Sequence, residues 1–243
     1  MTLAISERLG AIAAYCPTGA RVADIGSDHA LLAAYLLESG AASFVVAGEV
    51  NEGPFRAACR QLSPMVDKGR ASVRKGDGLA VLNPGEVDVV CIAGMGGQLI
   101  VSILERGHAI LADVQRLILQ PNVGEELVRR WLLQNGWQLR SETILKEDQV
   151  LYEILVAEPG DPYKPYEEQE RSVEELLRLG PILWRQKPTL LIEKWRREQE
   201  KSRKILRQVA CSQRPETVER AREIKQELNW IDEVIRCLQT GKP

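Results

Sequence analysis

Residues 21–28 place the strongest constraint on the fold, because an apolar run leads there directly into an acidic turn broken by Gly26. A glycine at the first strand-to-helix turn of an α/β domain lets the backbone approach a ligand. An acidic residue about 20 residues further on can bind both ribose hydroxyls of a nucleoside. Glu49 follows a second apolar run at about this distance. The pattern predicts a nucleoside-binding α/β domain.

The residues of the turn indicate which nucleoside it favours. Dinucleotide-binding enzymes have the pattern G-x-G-x-x-G here, which leaves room for a pyrophosphate at the N-terminus of the next helix. In this chain Ser27, Asp28 and His29 follow Gly26 instead, and a carboxylate in this position repels phosphate. The turn therefore favours a nucleoside with a positive or zwitterionic tail, and S-adenosylmethionine fits it better than NAD.

The size and composition of the chain fit one α/β core with a smaller appendage, since it has 243 residues, 44% hydrophobic and 27% charged. Its N-terminal residues lack the apolar core of a signal peptide, and no apolar run approaches the roughly 18 residues of a membrane span. We therefore expect a cytoplasmic protein without membrane contact. The five cysteines are scattered without C-x-x-C spacing, which indicates free thiols and no metal site.

Apolar, β-rich runs alternate with helical patterns up to Asn135. This alternation predicts a parallel sheet with helices on both faces and ligands at the carboxyl ends of its strands. The predicted strands are 21–25, 44–49, 71–74, 87–93 and 116–119, and the helices between them are 31–39, 54–65, 98–106 and 125–135. Two further strands, 137–144 and 151–157, form a hairpin. A hairpin that closes five parallel strands predicts the seven-stranded, Rossmann-like fold of class I methyltransferases.

The segment 158–162 is rich in proline and glycine. It predicts a boundary between a cofactor-binding catalytic domain, residues 1–158, and a helical domain, residues 159–243. In the helical domain, apolar residues repeat with heptad spacing from Ala221 to Leu238. Together with an earlier apolar stripe that begins at Leu191, they predict an α-helical coiled-coil hairpin.

The predicted hairpin also carries a basic segment. Nine basic and three acidic residues lie between Trp184 and Arg207, and such a stripe favours contact with phosphates. The predicted RNA contacts are Arg196, Arg197, Arg203 and Lys204. The alternative is a solvated helix face that serves only packing or dimerisation. The sequence leaves the oligomeric state open between a monomer and a weak dimer formed through the hairpin.

The predicted cofactor contacts lie on four turns, each at the carboxyl end of a predicted strand. Asp24 is assigned to the methionine part of the cofactor, with helix capping as the alternative. Glu49 is assigned to the ribose and Asp77 to the adenine amino group; a surface carboxylate and an ordinary turn are the respective alternatives. The glycine-rich run 93–97 is assigned to the reacting methyl group and its acceptor. The predicted cofactor-binding residues are Asp24, Gly26, Ser27, Asp28, His29, Glu49, Val50, Asp77, Gly78, Ala93, Gly94, Met95, Gly96 and Gly97.

Two sequence patterns that are absent limit the choice of methyl acceptor. The Asn/Asp-Pro-Pro-aromatic run of enzymes that methylate exocyclic amines is absent after the fourth strand, and no cysteine suits methylation of cytosine C5. The acceptor is therefore expected to be nucleophilic already. Gln120, Pro121 and Asn122 end the fifth strand, and the two amides can position a base as Asn and Gln do with adenine. The alternative is that Asn122 caps the next helix. We assign neither His29 nor His108 as a base.

Six short motifs occur in order over the first 158 residues: 24–30, 47–49, 76–79, 92–97, 119–122 and 152–158. Among them, Gly-Ser-Asp-His and Ile-Ala-Gly-Met-Gly-Gly are far more specific than a general nucleotide fold. Together they resemble the bacterial tRNA (adenine-22) N1-methyltransferase family. The resemblance implies methyl transfer from S-adenosylmethionine to N1 of adenine 22 in the D-arm of tRNA.

The implied reaction needs no protein base. N1 of adenine keeps a free lone pair near neutral pH, so positioning can supply most of the acceleration. Because N1 lies on the pairing edge, the nucleotide must be exposed or flipped into the site. Two other functions stay open: a methyltransferase that acts on another RNA or a small molecule, and a non-catalytic nucleotide-binding protein that serves as an RNA adaptor.

Overall fold

The computed structural model describes residues 3–209 and 215–240. Within them, seven strands form one mixed sheet in the order β3-β2-β1-β4-β5-β7-β6. The strands are β1 (Ala20–Ile25), β2 (Ala42–Glu49), β3 (Ala71–Lys75), β4 (Val89–Gly96), β5 (Arg116–Val123), β6 (Trp137–Glu147) and β7 (Val150–Pro159). The first five pair in parallel, and β7 is antiparallel to both of its neighbours. The predicted seven-stranded α/β fold is confirmed.

Between the strands, the helices of the described residues follow the predicted alternation, except that a short helix, His108–Leu111, also precedes β5. One helix is added before β1. The helices are α1 (Glu7–Ala14), α2 (Leu31–Glu38), α3 (Glu52–Val66), α4 (Gly97–Arg106), α5 (His108–Leu111), α6 (Glu125–Gln134), α7 (Val173–Leu179), α8 (Pro181–Gln186), α9 (Thr189–Val209) and α10 (Pro215–Thr240). The added helix, α1, begins where the Ser6 hydroxyl accepts the N–H of Leu9 at 3.3 Å, because such a cap satisfies an otherwise unpaired helix donor.

The hydrophobic core lies between the sheet and its covering helices. Every residue of β1 except Arg21 is buried, as expected for a parallel strand covered on both faces. Helix α2 buries five of its eight residues. Because β1 pairs with β2 on one side and β4 on the other, the chain order reverses at β1. Ligands of open α/β sheets bind at the carboxyl ends of the strands at such a point.

The β6–β7 hairpin is closed by Asp148 and Gln149, whose φ angles of 47° and 65° lie in the left-handed region. Two left-handed residues form the tight turn that matches the twist of antiparallel strands. The hairpin places Glu147 at the end of β6 and Tyr152 near the start of β7. Both side chains contact Arg8 of α1.

The chain divides into two compact units between Gly180 and Pro181. The first unit extends past 158, where the sequence predicted the boundary, because the segment 159–180 packs onto the sheet domain. Helix α7 contacts α6, and the buried guanidinium of Arg129 donates to the carbonyl oxygen of Leu177 at 3.1 Å. The assignment of separate functions to the two units stays a prediction.

In the second unit, α9 and α10 pack against each other. Five residues separate them in sequence. A connection this short cannot reach back along the 21 residues of α9, so the two packed helices run antiparallel. The rings of Trp195 and Trp230 meet edge to face, with centroids 5.1 Å apart. The predicted seam of α10 is buried at Ile224, Leu228, Ile231, Ile235 and Leu238. The coiled-coil geometry of the pair stays a prediction.

Candidate active site

A cavity of about 660 Å³ is lined by the carboxyl ends of β1, β2, β4 and β5 and by the residues that follow β1, β2 and β3. Its volume lies within the range of small-molecule and cofactor sites. Twelve of the fourteen predicted cofactor residues line it: Asp24, Gly26, Ser27, Asp28, His29, Glu49, Val50, Asp77, Gly78, Ala93, Gly94 and Met95. Asn122 lines it as well. Four segments that are far apart in sequence thus form one site.

The structure does not bring four predicted residues into the cavity lining: Gly96, Gly97, Gln120 and Pro121. A Cβ atom on Gly97 would lie 2.2 Å from the carbonyl oxygen of Gly124, so this glycine lets α4 begin against the turn between β5 and α6. Gln120 is fully buried and can act only through neighbouring groups. The glycine-rich run therefore serves packing in its second half.

Glu49 shapes the first turn. The side chain is 6% exposed, which rules out a surface carboxylate, and its Oε1 accepts the N–H of Asp28. The N–H of Gly26 donates to the carbonyl oxygen of Gly48 at 2.9 Å. Asp28 and Ala30 have left-handed φ angles of 52° and 54°, which Asp tolerates better than Ala. The predicted ribose ligand therefore also holds the turn in a partly strained conformation.

Asp24 is a buried carboxylate with an unused oxygen. The side chain is 5% exposed, and its Oδ2 has no hydrogen-bond partner among the described residues. Burial raises the pKa of Asp24 to about 7, and the charge of Glu49 adds to the rise, whereas the N–H of Ala33 opposes it. Ala30 is the N-cap residue of α2, but Ala33 belongs to the first turn of that helix, so the Asp24 carboxylate also accepts one of the free N–H groups at the helix start. A lone carboxylate oxygen in the cavity wall suits a ligand that donates hydrogen bonds.

We expect Asp24→Asn to stabilise the protein without ligand at pH 7 and above. The folded pKa of Asp24 exceeds its unfolded value, so between these two pH values the folded state holds a proton that the unfolded state has lost. Asp24 therefore lowers the free energy of unfolding as the pH rises from its unfolded pKa through its folded pKa. The gain should be on the order of 2 kcal/mol, since the buried amide also lacks a full set of partners. Urea unfolding of both proteins from about pH 4 to pH 8 measures it. A gain that does not change with pH would contradict the assigned pKa.

Asp77 is held by a partner that the sequence did not suggest. Its two carboxylate oxygens accept hydrogen bonds from Nη1 and Nη2 of Arg106, the second at 3.3 Å. Both side chains are about half exposed, so the pair adds little to stability. The pair instead restricts the carboxylate at the mouth of the cavity, where Asp77 was assigned to an adenine amino group.

A chain of hydrogen bonds links Gly94, near the end of β4, to the end of β5. Oε1 of Gln120 accepts the N–H of Gly94 at 3.1 Å, and Nε2 of Gln120 donates to Oδ1 of Asn122 at 3.0 Å. Nδ2 of Asn122 donates to the carbonyl oxygen of Gly94 at 2.8 Å. The N-cap of α6 is Gly124, which excludes the capping role for Asn122. The amide of Asn122 is thus oriented at the cavity.

Comparison with known proteins decides the family. The family model described as tRNA (adenine(22)-N(1))-methyltransferase matches residues 22–237. A curated protein of that name from Bacillus subtilis (strain 168) is 40% identical over 234 residues, which cover 96% of this chain and 98% of the relative. The chain belongs to the tRNA (adenine(22)-N(1))-methyltransferase family. The resemblance stated from the six motifs is confirmed.

Solved structures agree with this family. The crystal structure of the B. subtilis M1A22 tRNA methyltransferase matches with a TM-score of 0.88 and 39% identity, over 96% of this chain and 99% of that one. A putative tRNA (m1A22) methyltransferase of Streptococcus pneumoniae, in complex with S-adenosyl-L-methionine, matches with a TM-score of 0.82 and 37% identity. It covers 96% of this chain and 100% of that one.

The predicted RNA contacts of this family member lie on α9 in the second unit. Arg197 is paired with Glu193 at 2.5 Å, and Arg203 lies 3.7 Å from Asp232. Arg196 and Lys204 are exposed. For these two, no ion pair occurs within residues 3–209 and 215–240. Two of the four predicted RNA contacts, Arg197 and Arg203, are thus paired with acidic residues, and the other two are not.

No metal site or membrane span is found in the part of the chain that the structure describes. No group of three or more His, Cys, Asp or Glu side chains there is placed to hold a metal ion, and each helix there is too short or too polar to cross a bilayer. Cys16, Cys59, Cys91 and Cys237 are not in disulfide bonds within residues 3–209 and 215–240. Cys211 lies outside the described residues.

Arg8 and Tyr152 are among the cavity residues that the sequence analysis did not assign. Arg8 belongs to α1, whose only sequence signal is Ser6 as a candidate helix cap three residues before Leu9. Tyr152 lies inside a motif that the resemblance quoted, but nothing local distinguished its side chain from other strand residues. Arg8 and Tyr152 meet in the cavity wall only because α1 packs beside the β6–β7 hairpin.

Proposed function

We propose that this protein transfers the methyl group of S-adenosylmethionine to N1 of adenine 22 in tRNA. The observation that carries the proposal is the cavity wall, in which the buried carboxylates of Asp24 and Glu49 lie beside the oriented amide of Asn122. This arrangement suits a cationic nucleoside on one side and a base edge on the other. Membership of the family supports the same substrate and cofactor.

The residues of the cavity fit this cofactor. S-adenosylmethionine supplies a methyl group that is activated by a sulfonium. The unpartnered oxygen of Asp24 can accept a hydrogen bond from an ammonium group. Glu49 still has one oxygen free for ribose hydroxyls after it accepts the N–H of Asp28. The turn after β1 carries Ser27, Asp28 and His29 where a phosphate-binding turn has further glycines.

The protein's task in the reaction is positioning. N1 of adenine donates its lone pair to the methyl carbon while the carbon–sulfur bond breaks, so no proton leaves and the product base is cationic. The amide of Asn122 can hold the adenine by its N6 and N7 edge, which leaves N1 free. A base in the correct orientation gains most of the available rate enhancement. The target nucleotide must leave its stack first.

We expect Glu49→Ala to weaken the binding of S-adenosylmethionine by about tenfold to a hundredfold, the effect of one charged hydrogen bond. Titration calorimetry measures the affinity. Glu49→Gln keeps an acceptor for the N–H of Asp28 and separates loss of charge from loss of the turn. Glu52→Ala is the matched control, because this exposed carboxylate pairs with Arg56 and Lys75 outside the cavity. Unchanged affinity in Glu49→Ala would remove the ribose assignment.

The basic face of α9 is proposed to contact tRNA phosphates. Each neutralised phosphate adds to the slope of log affinity against log salt, and loss of one contact reduces that slope by about one. We expect the double variant Arg196→Gln/Lys204→Gln to flatten the slope more than Arg197→Gln/Arg203→Gln, since the second pair of cations is already neutralised by acidic partners. Filter binding at several salt concentrations measures both. Equal slopes in both doubles and the wild type would leave α9 as a packing element.

The activity is tested with unmodified tRNA transcripts and methyl-labelled S-adenosylmethionine. We expect label in a transcript with adenine 22 and none in the same transcript with guanine 22. Equal label in both would favour another RNA position, and label only in small molecules would favour the other methyltransferase function. Cofactor binding without transfer to any RNA would favour the adaptor.

A further inference from the structure

Arg8 is held in the cavity wall from two strands of the hairpin. Its backbone N–H donates to Oε1 of Glu147 at 3.0 Å, and its Nε lies 3.8 Å from Oε2 of the same residue. Its guanidinium carbon lies 5.3 Å from the ring centroid of Tyr152, within the range of a cation–π contact. The side chain is 22% exposed. These contacts fix the direction in which the guanidinium points.

The guanidinium of Arg8 sets the orientation of the Gln120 amide. Nη1 donates to Oε1 of Gln120 at 2.5 Å, and the same oxygen accepts the N–H of Gly94. A flipped amide would turn its NH₂ group toward two donors, one of them charged, and would lose both bonds. Nε2 of Gln120 must therefore face Asn122.

The orientation of Gln120 determines that of Asn122 in turn. Nε2 of Gln120 donates to Oδ1 of Asn122, and Nδ2 of Asn122 donates to Gly94. One N–H of Nδ2 and one lone pair of Oδ1 remain for a ligand. In this orientation the amide oxygen can accept from the N6 amino group of adenine while the amide nitrogen donates to N7. A flipped amide would present a donor to the amino group.

We propose that Arg8 is a positioning residue for methyl transfer, which through Gln120 fixes the amide of Asn122 in the orientation that selects adenine by its amino group. The inference rests on the proposed function, since it assumes that the target base is adenine. Arg8 touches neither the reacting nitrogen nor the methyl group in this scheme. Its effect is on the rate for a base that carries an amino group at C6.

The test combines protein variants with a change in the target base. Single-turnover rates, with cofactor and tRNA saturating, are measured on transcripts with adenine or with nebularine at position 22. Nebularine is the same purine without the amino group. We expect the wild type to prefer adenine by about tenfold, the value of one hydrogen bond, and Arg8→Met to lose most of this preference. The intrinsic difference in N1 reactivity between the two bases is the same for every variant, so it cancels when the rate ratios of the variants are compared.

Three further variants separate positioning from folding. Gln120→Glu keeps the acceptor for Arg8 but cannot donate to Asn122, so it should lose the preference like Arg8→Met. Arg8→Lys keeps a charged donor and should restore part of it. Arg21→Met removes an arginine that pairs with Asp88 at the other end of β1, and it should behave like the wild type.

The outcomes distinguish the inference from the function on which it rests. If the wild type methylates neither transcript, the proposed function fails. If Arg8→Met and Gln120→Glu slow both transcripts equally and keep the full preference for adenine, the role of Arg8 is structural only and the inference is overturned. Cofactor affinity within about twofold of the wild type is expected in Arg8→Met, since the proposed effect is on the base and not on the cofactor.

Discussion

Replacement of Arg129 by alanine is expected to lower the free energy of unfolding by about 3–5 kcal/mol, the cost of breaking a buried ion pair by removal of one partner. The guanidinium is fully buried and pairs with Glu142 at 2.6 Å and with Glu153. Although burial alone lowers the pKa of Arg129, the two carboxylates raise it well above its ordinary value. In the variant, two carboxylates stay buried without their cation.

Arg130 offers a matched control for this prediction. It is adjacent on α6 and has two acidic partners, Glu126 and Glu174, but its side chain is one third exposed. Solvent-exposed ion pairs contribute about 0–1 kcal/mol, so Arg130→Ala should change the stability far less. Urea unfolding at neutral pH compares the two variants. Equal losses in both would show that the buried cluster is not the reason for the stability of this region.

Asn122→Ala is expected to slow single-turnover methylation by about a hundredfold, the order of loss that follows from poor positioning of a reacting group. Cofactor affinity should stay near the wild-type value, because the amide acts on the base in the transition state. Rapid quench with saturating cofactor and tRNA measures the rate. Asn83→Ala, in a surface loop beside Glu86, is the control.

The pH dependence of the same reaction tests whether positioning suffices. The wild-type rate should be nearly flat above about pH 6, because the adenine N1 loses no proton before attack. The cofactor must be saturating at each pH, since the pKa of Asp24 is raised to about 7 and its ionisation can affect cofactor affinity. A tenfold rise in rate per pH unit would show that a titrating base is required. A wild-type rate in Asn122→Ala would remove that amide from the site.

The strands and their turns could be predicted because their signals are local. Each predicted parallel strand is an apolar run followed by a glycine or polar residue, and topology then brings the carboxyl ends together. Gln120 and Asn122 were singled out by the same signal, but the sequence could not tell that Gln120 is buried. Residues 120 and 122 lie on the same face of β5, but the strand is buried through Pro121 and becomes exposed at Asn122, where it reaches the cavity.

The contacts that orient the side chains of the site leave no signal in the nearby sequence. Arg8 and Gln120 are 112 residues apart in sequence, and only the packing of α1 beside the sheet brings them together. Arg129 and Arg130 are neighbours of the same type, yet one is fully buried and the other is partly exposed. The partners of Arg129 come from β6, β7 and the segment before Gly180. These long-range contacts also explain why the first unit extends past 158.

The central claim is methyl transfer to one nitrogen of one nucleotide, and nucleoside mapping tests it most directly. Unmodified bacterial tRNA is incubated with the protein and labelled S-adenosylmethionine, digested at neutral pH, and analysed by mass spectrometry. We predict 1-methyladenosine at position 22 and at no other adenine. A methyl group on the exocyclic N6 of adenine, on a different nucleotide, or on no RNA at all would contradict the claim.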